Sequence, residues 1–208
     1  MVNWLNKVFE TGSRIKAAIR KRATKEELAK SLYVSCCKGL VSKKEIANNF
    51  HTCPYCSKHF KVTPAERFGY LFDSGVYETF KTPHVAVDDP LNFEAAKNYI
   101  DQLKSARNKT GLNCSMVVAS GEINKIKCTA VASDFMFMAA SIEQNEGEAV
   151  LFAAMHSIEK RQPLIIVAQG GGMRMQASML SLSQMPRTTL AINEVKAAGL
   201  PYIVIRTD

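Results

Sequence analysis

No apolar run in this 208-residue sequence is long enough to cross a bilayer: one of the longest, PLIIVA at 163–168, falls far short of the roughly 20 residues required. The N-terminus, MVNWLNKVFETGS, has no apolar h-region and no small-residue cleavage pattern, so it does not read as a secretory signal. There is no G-x-S-x-G elbow and no H-E-x-x-H helix, which removes the common serine hydrolase and zincin readings. G-x-G-x-x-G and the Walker A loop are also missing, so dinucleotide and nucleoside triphosphate sites lose their usual signatures. Nor is there an RNP motif or an aromatic stacking set for sequence-specific reading of nucleic acid. The four histidines, His51, His59, His84 and His156, are scattered, and His156 falls in an apolar helical segment as a packing residue rather than a base.

What is present suits a folded chain of one domain plus a small module, with 47% hydrophobic and 22% charged residues. Six cysteines, two of them in a C-x2-C, indicate metal ligands or free thiols in a reducing compartment. The formal charge of +8 is unevenly placed. Residues 1–60 hold 12 Lys and Arg against 4 Asp and Glu, whereas residues 61–208 hold 15 of each. The basic excess therefore lies wholly in the first 60 residues, either as a phosphate-attracting surface or as a solvated helix face.

Three regions follow: a basic arm or helix at 1–31, a cysteine module at 32–60, and an α/β region at 61–208. In the module, SCCKGLVSKKEIANNFHTCPYC (35–56), Cys53 and Cys56 form the C-x2-C, and 15 residues separate Cys37 from Cys53. That spacing is the usual one for a four-cysteine zinc ribbon, but the slot three before Cys37 is Val34. Cys37, Cys53 and Cys56 are the expected ligands, with Cys36, His51, His59 or water as the fourth. Cys36 looks a poor substitute because it adjoins Cys37, so a weakened zinc site is expected.

Further along, Thr63 and Pro64 signal a helix start, with Phe68, Leu71 and Phe72 on its apolar face. An amphipathic helix is expected over 92–111, stopping at Gly111. Two strand-like runs meet at a hairpin, Asn124–Lys125. Cys114 and Cys128 in this region read as small core residues. A helix over 146–162, a buried strand at 163–168, a glycine turn, a helix from about Met173 and a buried strand at 201–208 complete a right-handed crossover. Gly170, Gly171 and Gly172 sit between strand and helix, where free backbone amides can hold a phosphate or an oxyanion. Such a turn can equally be a structural corner.

These parts in this order resemble the β subunit of the bacterial and plastid type of acetyl-CoA carboxylase carboxyltransferase. The resemblance runs from Trp4 to Asp208 through NWLNKVF, CPYCSKHFKVTPAERFGYLFDSG, DPLNFEAAKNYIDQLKSARNKTGL, SDFMFM, PLIIVAQGGGMRMQ and GLPYIVIRTD. It implies a zinc-ribbon module ahead of a crotonase-like ββα core, apparently incomplete because the family's pattern continues past Asp208. It also implies a reaction that moves a carboxyl group from carboxybiotin to acetyl-CoA, giving malonyl-CoA, with an α subunit and a biotin carboxyl carrier protein as partners. Gly171 and Gly172 would supply catalytic amides to the thioester oxygen, while Gly170, Arg174, Met175 and Gln176 complete a substrate-binding motif. Released biotin would take the proton, so no side-chain base is required. A cytoplasmic or plastid-stroma location would follow.

Several positions depart from the family's pattern. Ala139, Ala140 and Glu143 stand where it has glycines, so crowding is expected, with Glu143 repelling CoA phosphates if it faces them. Ala177 replaces a glutamate, and Pro186 is expected to kink a helix. The alternative function is a binding module in which residues 1–60 hold nucleic acid, without sequence preference, or a protein partner.

Overall fold

The computed structural model describes residues 32–37, 39–94 and 97–207, so the basic arm expected at 1–31 lies outside the described residues. The chain divides into two compact units, with the boundary between Phe60 and Lys61. In the smaller, β1 (Tyr33–Cys36) and β2 (Gly39–Ser42) form an antiparallel hairpin, with Val34 opposite Val41 and Cys36 opposite Gly39. Gly39 has φ +103°, a conformation that glycine takes without a Cβ penalty. Helix α1 (Lys43–Asn48) follows, its Ser42 side chain accepting from the Lys44 N–H. Val41, Ile46 and Cys53 are buried, and Val34 packs against them.

The larger unit begins with α2 (Pro64–Leu71), started by a Thr63–Glu66 capping box as the sequence signalled. Its sheet has the spatial order β3 (Tyr77–Phe80), β4 (Met116–Ile123), β5 (Ile126–Ser133), β6 (Leu164–Ala168), β7 (Tyr202–Arg206). The first two junctions are antiparallel and the last two parallel. Asn124 and Lys125 both have positive φ, as a two-residue hairpin loop of primed type demands, and the Asp73 carboxylate accepts both their N–H groups. Helix α3 (Tyr99–Thr110) is shorter than the amphipathic pattern predicted, because Asn98 caps it. It does end at Gly111, which is left-handed.

Helix α4 (Gln144–Lys160) crosses from β5 to β6, and α5 (Ser178–Leu182) and α6 (Gln184–Ala197) from β6 to β7. Alternation along β6 sends Leu164 and Ile166 to one face, with Ala149, Ala153 and Ala154 of α4 and Val195 of α6. Ile165 and Val167 face Phe68 of α2 and Phe72, the residue that follows it. Thus β6 is buried on both sides, as its composition required. β7 corrects the expectation of a second buried strand: it is the sheet edge, and Ile203, Val204 and Ile205 are all exposed. Pro186 makes no kink. It occupies the first turn of α6, where its missing N–H costs no helical hydrogen bond. Among the described residues no helix is long and apolar enough to cross a membrane.

Candidate functional site

In the smaller unit the Sγ atoms of Cys36, Cys37, Cys53 and Cys56 all lie within 4.8 Å of one another, and Cys36 Sγ is 3.5 Å from Cys56 Sγ. A tetrahedral zinc with Zn–S bonds of about 2.3 Å separates its sulfurs by roughly 3.8 Å, so four thiolates at this spacing fit the ion. The poor geometry expected of Cys36 is therefore corrected: both neighbours reach the cluster. Val34 instead joins the apolar residues Val41, Ile46 and Cys53. Neither His51 nor His59 belongs to the thiol cluster. Hydrogen bonding with Cys37 pulls the Cys56 thiol down to about 7, and the same contact pushes Cys37 up to about 12.

In the larger unit β6 delivers the glycine turn to the end of the sheet. Gly171 donates its N–H to Ala139 O at 2.8 Å, Ile142 N–H donates to Gly172 O at 2.8 Å, and Arg174 N–H to Ile142 O at 2.8 Å. The turn is thus stitched to residues 139–142. A Cβ on Gly170 would sit 2.5 Å from Ala140 O, so that position must be glycine for the two segments to approach. Gly172 has φ +85°. Because its N–H is already spent, Gly171 is not the donor the sequence suggested. The Gly170 and Gly172 amides have no partner among the described residues, and both glycines line a cavity of about 310 Å³ with Ala140, Ile142, Gln169, Arg206 and Thr207. A larger cavity, about 730 Å³, lies by α2 and β3 and includes none of the glycines.

The helix expected from Met173 begins later. Met173 bridges to Ile142, residues 175–177 form a 3₁₀ turn, and α5 starts at Ser178. No helix dipole stands directly behind the glycines, so any anion stabilisation comes from the amides themselves. Met175 is exposed, Gln176 is half-buried, and neither lines the cavity.

Arg174, expected to bind substrate, is 2% exposed and committed elsewhere. Its guanidinium pairs with Glu143 and Glu146, each at 2.8 Å, and donates to Ser141 O at 2.7 Å, Ser141 Oγ at 3.2 Å and Tyr99 OH at 3.3 Å. Glu146 also accepts from Ser115 N–H and Oγ–H and from the Glu143 N–H. Burial opposes the Arg174 charge, but the neighbouring acid Glu146 foremost holds the guanidinium above its ordinary range. Burial pushes the Glu143 carboxyl up against the pull of Arg174, and pushes Tyr99 up to about 12. Glu143 therefore does not face a ligand's phosphates; it is half of an internal ion pair. Residues 138–140 also depart from expectation: Met138, Ala139 and Ala140 all hold left-handed backbone, φ 49°, 54° and 52°. The glycine-like path is kept without the glycines.

Elsewhere the quiet assignments hold. His156 Nδ1 lies 3.0 Å from Thr129 Oγ1 and its ring packs on Phe80, as a packing residue does. Cys114 and Cys128 are buried. Sequence reasoning missed Tyr99, Ser141, Glu146 and Gln169. Two acids three residues apart near an apolar helix start were the available signal for Glu146, and Gln169 had none.

Residues 89–207 match the carboxyl transferase domain family. The chain is 50% identical over 207 residues to the acetyl-coenzyme A carboxylase carboxyl transferase subunit beta of Pelagibacter ubique, covering 100% of this chain and 67% of the relative. The protein of the same name from Dinoroseobacter shibae is 38% identical, over 99% of this chain and 63% of its own length. The chain therefore spans about two thirds of these relatives. Among solved structures, transcarboxylase 12S aligns with TM-score 0.52 at 21% identity, over 71% of this chain and 26% of its own. The β subunit of geranyl-CoA carboxylase from P. aeruginosa aligns with TM-score 0.51 at 16% identity, over 91% and 30%. These likenesses concern the fold, and they bear out the α/β crotonase-like expectation.

Proposed function

Because the chain belongs to the family of acetyl-CoA carboxylase carboxyl transferase β subunits, we propose that it is the β component of a carboxyltransferase, acting on an acyl-CoA thioester. The supporting observation is that Gly170 and Gly172, whose amides have no partner among the described residues, both line a cavity at the end of β6. A thioester oxygen placed on them gains two donors that cost no reorganisation as its charge grows toward an enolate. Carboxybiotin, brought by a carrier protein, supplies the carboxyl group. The chain's own part is to hold the thioester and stabilise the oxyanion, while the stitching to residues 139–142 keeps the amides aimed. An α subunit is the expected partner for the other half of the site. Zinc, held by Cys36, Cys37, Cys53 and Cys56, would brace the smaller unit. The alternative, a basic nucleic-acid module, rests on residues 1–60 and no comparison favours it.

The test is malonyl-CoA/biocytin exchange. No exchange is expected from residues 1–208 alone. It should appear when an α subunit and a segment equivalent to the remaining third of the relatives are both supplied. Failure of the complete mixture would refute the reading.

A further inference from the structure

The cavity beside the glycine turn has more room than an acetyl group uses, and its accessible walls are apolar. Its volume of about 310 Å³ equals that of about ten water molecules, whereas an acetyl ester places a single methyl beyond its carbonyl carbon. Met116 of β4, Val131 of β5, and Ile166 and Ala168 of β6 line it from the sheet face that carries α4. Met116 and Ala168 are half-buried, so they keep surface for a ligand. Ile142, also half-buried, adds a wall from outside the sheet, and its N–H bond to Gly172 O ties it to the glycine turn. The polar neighbours spend their groups on each other. Ser133 Oγ donates to Gln169 O at 2.8 Å and accepts the Gln169 N–H at 3.1 Å, while Gln169 Nε2 donates to Ser133 O at 2.9 Å. Arg206 is exposed, so its charge is left to solvent.

We infer that Met116, Ile142, Ile166 and Ala168 form an acyl-chain slot, and that this protein prefers thioesters whose acyl group is longer than acetyl. The inference rests on the acyl-thioester reading above. A thioester carbonyl carbon held at Gly170 and Gly172 carries two substituents, the acyl group and the sulfur of CoA. The nucleotide end of CoA is far too large for a space of about 310 Å³, so the sulfur leads out and the acyl group leads in. Each methylene past the acetyl methyl then leaves water for apolar side-chain surface. The α-carbon stays beside the glycines, where the reading above places carboxyl transfer, so a longer chain does not move the reacting atom.

The full chain is titrated by calorimetry with acetyl-CoA, propionyl-CoA and butyryl-CoA. All three share the nucleotide, the phosphates and the pantetheine arm, so the affinity ratios isolate the methylenes. Affinity is expected to rise about threefold per methylene, against roughly fourfold for complete burial of a CH2 group. Ala168→Leu fills the slot and flattens the series. Ile142→Ala takes away a wall and lowers the gain per methylene; it decides the matter alone if circular dichroism shows Ala168→Leu to be unfolded. A wild-type series that is flat or falls with length overturns the slot, as does a rise that neither variant alters. Binding of none of the three esters refutes the acyl-thioester reading itself, and the slot with it.

Discussion

Replacing Arg174 by methionine should destabilise the larger unit far more than it disturbs any ligand. The substitution removes pairs to Glu143 and Glu146 at 2.8 Å and donors to Ser141 and Tyr99, all at a residue 2% exposed. The loss is unequal between the two acids. Glu146 keeps three donors, from Ser115 N–H, Ser115 Oγ–H and Glu143 N–H, whereas Glu143 keeps fewer, the Tyr99 hydroxyl among them. Breaking a buried pair by removing one partner costs about 3–5 kcal/mol, a large part of the roughly 5–15 kcal/mol available to a domain. Urea unfolding followed by circular dichroism should show a midpoint lowered by about 1–3 M at unchanged slope. Adding Glu143→Gln to Arg174→Met should restore part of the loss, since it removes the stranded charge. The pH dependence has a definite sign. Without Arg174 the buried Glu143 carboxyl titrates above its unfolded value, so the deficit is full at high pH and shrinks as pH falls through the folded value. A loss below about 1 kcal/mol would refute the internal-pair account. So would unchanged stability with abolished binding of CoA esters, because Arg174 would then be a substrate contact.

Ala139 is exposed with φ 54°, so Ala139→Gly should raise stability by about 0.5–1 kcal/mol, the left-handed penalty less the entropy cost of glycine; a lowered urea midpoint would contradict this. Cys36→Ser should cut zinc content by metal analysis and weaken the thiolate charge-transfer bands of the cobalt-loaded protein, whereas Val34→Cys should leave the stoichiometry unchanged; a gain of metal in Val34→Cys would show that Val34 sits at the ligand position. Asp88 takes both Arg107 Nη donors at 2.6 Å, and this hydrogen bonding holds its carboxyl below the usual range. Asp88→Asn should therefore cost about 1 kcal/mol at pH 7. The difference should be full above about pH 4 and close as pH falls through the lowered value; persistence at pH 2 would argue against a charge effect.

Most elements were legible because their signals are local. Thr63–Pro64 announced α2, Gly111 ended α3, Asn124–Lys125 closed the hairpin, and the unbroken apolar run of β6 required cover on both faces. What the sequence could not show was where long-range partners would fall. Arg174 looked like a binding residue because it follows a glycine turn, yet its partners Glu143 and Glu146 arrive from the far end of a crossover. The exposure of β7 depends on what lies beside it, not on its own composition. Gly171 shows the limit at a single atom: the glycine pattern marks a turn, but which amide remains free is decided by Ala139 O, 32 positions earlier.

The cysteine module shows how a local rule can be applied with the wrong period. Counting C-x2-C from Cys37 leads to Val34 and an apparent gap in the ligand set. The segment is a strand, however, and a strand repeats every two residues, so positions 34 and 36 share a face. Moving the thiol from 34 to 36 keeps it on that face and brings it nearer the tight return at Gly39. Cys37, just past the strand's end, is free of the alternation and can turn toward the same point. The valine then fills the place that a ligand would have left, against Val41 and Ile46, and the four sulfurs still meet within 4.8 Å.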